Sequence, residues 1–444
     1  LLFFNSLFIK VLCFNVLIKG MMKEDFLHYI WKFLKFNTSD LKCTEGNVIS
    51  ILYNGEYLSS SGPDFFNAKI IIGNQLWVGN VEIHLKSSDW YAHQHHQDLN
   101  YQNVILHVVW EHDVDIVNRF GLPIPTLELR EIVDKRLLKR YNTSFYNSIL
   151  PCKENLSHVE KDKIHWWQLQ LMLNKLNDKS SIIEQKLSTV NNYWEEVFTQ
   201  QLFKNFGTLV NGEAFEQVFI QTPYRVFNKV RDNAVTLEAL LFGQAGMLPR
   251  EPIDSYTREL VKEYKLLKAK YQIQPISGRI EFFKLRPDNF PTIRISQFCD
   301  LISRNKSLFF ELMSIISLGD FYEKLTAEAS NYWKSHYVFD KRSIKVKNKG
   351  LTISFIELLL INTILPFKYA YDKLNKENVA DSVLNVYEQM KFEKNQIVDI
   401  YPEEYFHKRN ALHSQSLVYL NKVYCRQKRC MSCEVGVQII KNNL

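Results

Sequence analysis

Ser61-Gly62-Pro63-Asp64-Phe65, followed by Gly79-Asn80-Val81-Glu82-Ile83-His84-Leu85-Lys86, decides how this chain folds. Side chains alternate along a strand. Glu82, His84 and Lys86 therefore share one face, and Val81, Ile83 and Leu85 take the other as an apolar anchor. Residues 68–72 form a second apolar run, and Gly73-Asn74 between the two runs is a tight-turn signal. The expectation is a pair of neighbouring strands that brings Asp64, Glu82 and a Lys or His to one sheet edge. Two carboxylates offer the hard oxygen ligands that Mg²⁺ or Mn²⁺ needs. A cation so held activates water or steadies a phosphate. Lys86 or His84 is expected to position the nucleophile, and Glu24 on a preceding helix could add a carboxylate.

A polar stripe is also the ordinary wet face of a half-solvated strand. Further polar residues favour a site: His93, His95, His96 and Asp98 follow at once. His107 sits inside the apolar run Val104-Ile105-Leu106-His107-Val108-Val109-Trp110. On its own it reads first as a hydrogen-bonded core histidine.

Working outward, residues 24–36 carry Phe26, Leu27, Ile30, Trp31, Phe33 and Leu34 at helical spacing. Strands are expected over 48–53, 68–72, 76–86 and 104–110, with a short one at Leu127-Glu128-Leu129. Residues 22–152 thus read as a mixed-sheet α/β domain. After Pro151-Cys152 the apolar period becomes helical, from Trp166 and Trp167 onward. Helices are expected over 233–246, 254–271, 294–318, 320–336, 351–374, 380–393 and 402–424. Residues 153–444 therefore read as a large all-α region. Leu241-Phe242-Gly243-Gln244-Ala245-Gly246 within it marks a helix end or a close packing point.

At 444 residues the chain exceeds one compact core. Hydrophobic content of 46% and charged content of 23% are those of a soluble globular protein rather than of a membrane-spanning or disordered one. A net charge of +7 favours polyanionic partners, DNA or RNA, and no membrane partner is expected. Seven cysteines give no even disulfide framework and point to a reducing cytoplasm. Residues 1–21 are apolar but lack a basic start and a cleavage site, so they read as an over-extended leader ahead of Met21 or Met22.

Two further stretches bear on function. Residues 279–294 interleave cations with aromatics, and Arg279, Lys284, Arg286 and Arg294 are candidate nucleic-acid contacts. The other reading of that stretch is a packing loop whose arginines cap helix ends. Cys425, Cys430 and Cys433 form a C-x4-C-x2-C run able to wrap zinc or three corners of an iron–sulfur cluster. Cys152 is the preferred fourth ligand, with His413 second for zinc.

Taken together, Ser61 to Phe65, Gly79 to His84, Ser88-Asp89-Trp90-Tyr91, Leu106 to Val109, Arg286-Pro287, Asn289-Phe290-Pro291-Thr292 and Tyr424 to Cys433 resemble a bacterial family, the domain of unknown function numbered twenty-eight fifty-one. The resemblance covers nearly everything after Met22 and implies no activity. The N-terminal unit is also similar to PD-(D/E)XK nucleases of the restriction-endonuclease-like fold. Pro63-Asp64 and Glu82 match their pattern, while His84 stands at the lysine position and Lys86 lies two residues on. Some nucleases of that kind hold an iron–sulfur cluster through one upstream cysteine and three near the C-terminus, a plan that Cys152, Cys425, Cys430 and Cys433 follow loosely. The resemblance implies a metal-dependent phosphodiesterase acting on nucleic acid. The alternatives are a catalytically inactive nucleic-acid-binding protein and a scaffold with a C-terminal zinc site.

Overall fold

A computed structural model describes residues 22–57, 62–144, 149–278, 280–283, 285–375 and 379–442. The leader expected over 1–21, and the candidate contacts Arg279 and Lys284, lie outside the described residues. The chain divides into two units. The first comprises residues up to Gln168 with Lys394–His407 and Leu417–Leu444; the second comprises Leu169–Glu393 and Lys408–Ser416.

The first unit opens with helix α1 (Glu24–Lys32), whose Phe26, Leu27, Ile30 and Trp31 are fully buried. Strands β1 (Ile49–Tyr53), β2 (Glu56–Tyr57), β3 (Phe65–Ile72) and β4 (Gln75–Lys86) follow. A short helix α2 (Asp89–Ala92) then leads to β5 (Val104–Glu111), β6 (Thr126–Glu128) and helix α3 (Lys135–Ser144). The sheet order is β1-β3-β4-β5-β6, with β2 on β3. β1, β3 and β4 pair antiparallel, whereas β4–β5 and β5–β6 are parallel, so the sheet is mixed as expected.

β4 is exposed from Gln75 to Val78 and buried from Gly79 to His84. A side chain at Gly79 would collide with Ile105 and the Asn103 carbonyl, which is why β4 and β5 can close together there. In β3 the register shifts between Phe65 and Ala68, with Asn67 in the left-handed region at φ 57. This bulge, directly after Asp64, bends the strand and re-aims its start.

The sequence reading left the C-terminal cysteines with the helices. Here they return to the first unit, because Met431, Val437 and Ile440 are buried in the same core as Phe26, Ile30, Phe65 and Val81.

The second unit is mainly helical, as expected, with helices such as Trp194–Phe206, Thr208–Gln221, Ala234–Gln244, Ser255–Tyr271 and Pro291–Arg304. The helix expected over 320–336 breaks off at Lys324, and a small hairpin, His336–Val338 with Lys341–Arg342, follows. Asp340 takes its turn at φ 58, a conformation that aspartate tolerates. Both readings of the 241–246 segment hold: Gly243 lies against the Tyr264 ring, and Gly246 ends the helix at φ +67. Residues 353–375 are long and apolar enough to cross a membrane, and 72% of that window is buried within the protein.

A buried carboxyl gives this unit a pH signature. Glu238 is 1% exposed and accepts hydrogen bonds from Ser296 and from the Tyr256 hydroxyl at 2.6 Å. Burial pushes its pKa up from 4.5 to about 7. Below pH 4.5 the group is protonated in both folded and unfolded chains and contributes nothing. Between pH 4.5 and 7 only the unfolded chain releases the proton, so stability falls as pH rises and stays lower above pH 7. Glu238→Gln is expected to remove this fall, on the order of 3 kcal/mol at most. Denaturant unfolding at pH 5 and pH 8 checks it; an unchanged pH slope in the variant would refute it.

Candidate functional site

β4 contributes Glu82 and His84, the start of β3 contributes Asp64, and α1 contributes Glu24 and His28. Asp64 and Glu82 are cross-linked through the backbone. The Asp64 N–H donates to Glu82 Oε2 at 3.2 Å, and the Ile83 N–H donates to Asp64 Oδ2 at 3.0 Å. His28 Nε2 lies 3.2 Å from the same Asp64 oxygen. Burial, and then the Asp64 charge, push the Glu82 pKa up to about 9. Burial also raises that of Glu24. For His28 burial works downward, but the hydrogen bond and charge of Asp64 outweigh it and its pKa is raised. Sequence reasoning missed His28. The signal was there: it sits four residues after Glu24, on the same helix face.

The histidines gather on the other side of Glu82. His84, buried at 1% exposure, places Nδ1 2.8 Å from His107 Nε2 and Nε2 3.1 Å from His93 Nδ1. Glu82 Oε1 lies 3.5 Å from His84 Nε2 and 3.3 Å from His95 Nε2. One ring nitrogen each of His84, His93 and His95 lies within 4.8 Å of the others, a spacing able to hold a metal ion. Burial, then the neighbouring imidazoles, pull the His84 pKa down to about 2, and burial pulls that of His107 down to about 3. These rings are neutral electron-pair donors.

Local packing fixes this loop. Trp90 is fully buried with Ile116 and Ile124, and its indole N–H donates to the Val117 carbonyl at 3.1 Å. Tyr101 stacks on His95 at 3.8 Å. His96 and Asp98, grouped with the other histidines on sequence, turn elsewhere: His96 meets Gln97 at 3.0 Å, and Asp98 caps the Asn100 N–H.

Lys86 is placed differently from its expected role. Its ammonium pairs with Asp113 at 3.4 Å and Glu111 at 3.7 Å. Asp113 also accepts hydrogen bonds from the hydroxyls of Ser87 and Ser88 and from the Ser88 N–H, tying the end of β4 to the end of β5.

Beside Glu24 and His28 opens a cavity of about 400 Å³, lined also by Lys23, Tyr57, Leu85 and Arg429.

The four cysteines are neighbours in the first unit. Cys425 ends the segment Asn421–Cys425, Cys430 opens the turn Cys430–Ser432, and Cys152 precedes the turn Lys153–His158. Burial pushes the Cys152 thiol well up, and the nearby Cys433 and Cys425 add to this. Cys430 is raised by burial and by Cys433, Cys152 and Cys425. Among the described residues, no three of these sulfurs lie within 4.8 Å of one another. Tetrahedral zinc thiolates would stand at about 3.8 Å. His413 belongs to the second unit.

Of the candidate nucleic-acid contacts, Arg286 is exposed. Arg294 is buried: it donates to Gln297 Oε1 at 2.8 Å and Asn289 Oδ1 at 2.6 Å and stacks on Phe355 at 3.5 Å. It serves the packing that was the other reading of its stretch.

A family model described as Protein of unknown function (DUF2851) matches residues 24–396. No curated protein and no solved structure matches the chain.

Proposed function

From the premise that this chain belongs to that family, whose description assigns no activity, we propose a metal-dependent phosphodiesterase acting on DNA or RNA. The observation that carries this reading is the Asp64–Glu82 pair, locked by reciprocal hydrogen bonds to backbone N–H groups where the start of β3 meets the second half of β4. Two converging carboxyl groups, with His28 beside Asp64 and His84 and His95 beside Glu82, fit a divalent ion. Asp64 and Glu82 would hold Mg²⁺ or Mn²⁺, with Glu24 adjoining, and the ion would supply Lewis-acid stabilisation of a phosphate. The order of a helix, three antiparallel strands and a parallel strand supports the likeness to PD-(D/E)XK nucleases and their restriction-endonuclease-like fold. The lysine of that pattern has no counterpart in place, since Lys86 is held by Glu111 and Asp113. His28, whose Nε2 lies 3.2 Å from Asp64 Oδ2, is placed to accept or hold a proton. Lys23 and Arg429 line the adjoining cavity and suit a phosphate backbone.

The cysteines are read as a second, structural centre. Cys152, Cys425, Cys430 and Cys433 would hold an iron–sulfur cluster or a zinc ion. Free thiols accord with a reducing, cytoplasmic setting.

The test is cleavage of labelled single- and double-stranded DNA and RNA with Mg²⁺ or Mn²⁺. Cleavage is expected in the parent and not in Asp64→Asn. Salt-dependent binding without cleavage would replace this reading with that of an inactive nucleic-acid-binding protein.

A further inference from the structure

We infer that His84, His93 and His95 form a binding site for one first-row transition ion of the zinc class, and that Glu82 reaches from this ion to the Asp64 side. The second half rests on the phosphodiesterase reading of Asp64 and Glu82; the first half does not.

The ligand geometry carries the argument. His84 Nε2 and His93 Nδ1 stand 3.1 Å apart, and the Glu82 Oε1 distances to His84 and His95 are 3.5 and 3.3 Å. Ligands around an ion at about 2.1 Å stand about 3.0 Å apart in an octahedron and about 3.4 Å apart in a tetrahedron. The His84–His93 pair already has that spacing, Glu82 Oε1 stands at it from His84 and His95, and one nitrogen of each of the three rings lies within 4.8 Å of the others. Imidazole nitrogens select zinc-class ions, whereas Mg²⁺ prefers an all-oxygen shell.

The support is built as at a metal centre. His107, fully buried in β5, sits 2.8 Å from His84 Nδ1 and fixes the ring so that Nε2 faces the cluster. Tyr101 clamps His95 by stacking. Between His93 and His95, Gln94 occupies the left-handed region at φ 61, a conformation that side chains other than glycine rarely adopt. That turn presents both flanking imidazoles to His84.

Glu82 has two jobs in this arrangement. Its Oε1 adjoins the histidines, and its Oε2 accepts from the Asp64 N–H. A carboxylate so placed serves two adjacent ions of different hardness, the plan of two-metal phosphodiester chemistry. His84, at the place where the nuclease pattern has lysine, is then a ligand and not a base.

The experiment is an anaerobic Co²⁺ titration of the metal-stripped full chain. Cobalt on nitrogen and oxygen ligands gives visible d–d bands, and cobalt on thiolates adds a near-ultraviolet charge-transfer band. One equivalent is expected to give d–d bands that survive Cys430→Ser and that Zn²⁺, but not millimolar Mg²⁺, abolishes. His93→Ala/His95→Ala is expected to weaken this binding at least about 100-fold. His93→Gln, a milder change in an exposed loop, should weaken it in the same direction with an unchanged melting curve. Bands that survive the double substitution, or that vanish only with Cys430→Ser, overturn the site. Asp64→Asn should keep the cobalt bands. If the parent binds cobalt in this way but cleaves no substrate, the phosphodiesterase reading falls and the histidine site stands.

Discussion

Glu82→Gln is expected to lower metal-dependent cleavage by about a thousandfold or more while leaving the metal-free fold intact. The two halves of this result have separate causes. The amide can keep its oxygen on the Asp64 N–H and turn its –NH₂ toward the neutral His84 and His95 rings, so each buried polar contact of the carboxyl has a replacement. The melting temperature without metal should therefore stay close to that of the parent. The amide cannot supply the negative charge that binds a cation, and the roughly 4 kcal/mol of Lewis-acid stabilisation is lost with it. Parallel melts with and without Mn²⁺, beside single-turnover cleavage, separate the effects. A variant that cleaves as fast as the parent would remove Glu82 from the reaction altogether.

Gly436→Ala is expected to destabilise the first unit by about 2 kcal/mol and to empty the cysteine centre. The last helix, Glu434–Asn442, packs its first turn onto the turn Cys430–Ser432. A methyl group at position 436 would overlap the Cys430 carbonyl oxygen, a backbone atom that cannot swing aside. Overpacking of this kind costs about 1–3 kcal/mol, and here the strain falls on a candidate ligand. Thermal melts together with iron, sulfide and zinc analysis of anaerobically purified protein check both parts. Cys430→Ser is the companion: it should lose the centre with little packing change. Full metal content in Gly436→Ala would show that the turn yields without moving Cys430.

Much of the first unit was legible because residues 80–86 alternate with period two, residues 104–110 form a continuous apolar run of strand length, and the turns carry Gly and Asn. The pairing of Asp64 with Glu82 followed from it. The bulge at Asn67 was not legible, since nothing local marks which of two residues will face Asn80. The fate of Lys86 was hidden for a different reason: Glu111 and Asp113 are distant in sequence and become its neighbours only through the parallel β4–β5 register. His107 read as a core histidine, and it is buried; that its partner would be His84 required the same register. In the second half, helical period identified most helices, but the hairpin after residue 335 is too short to compete with a helical pattern. Arg294 looked like an available cation because sequence spacing does not reveal that Phe355 and Gln297 enclose it.

The core shared by Phe26 and Ile440 sets a schedule for biosynthesis. Met431, Val437 and Ile440 leave the ribosome long after α1 and every strand of the sheet, so the sheet bearing Asp64 and Glu82 waits for them with α1 incompletely covered. Domains whose partners are this far apart in sequence close slowly and expose apolar surface meanwhile. A nascent chain that stops short of residue 431 would thus lack a finished Asp64–Glu82 edge, and the candidate chemistry would switch on only after Glu434–Asn442 has docked.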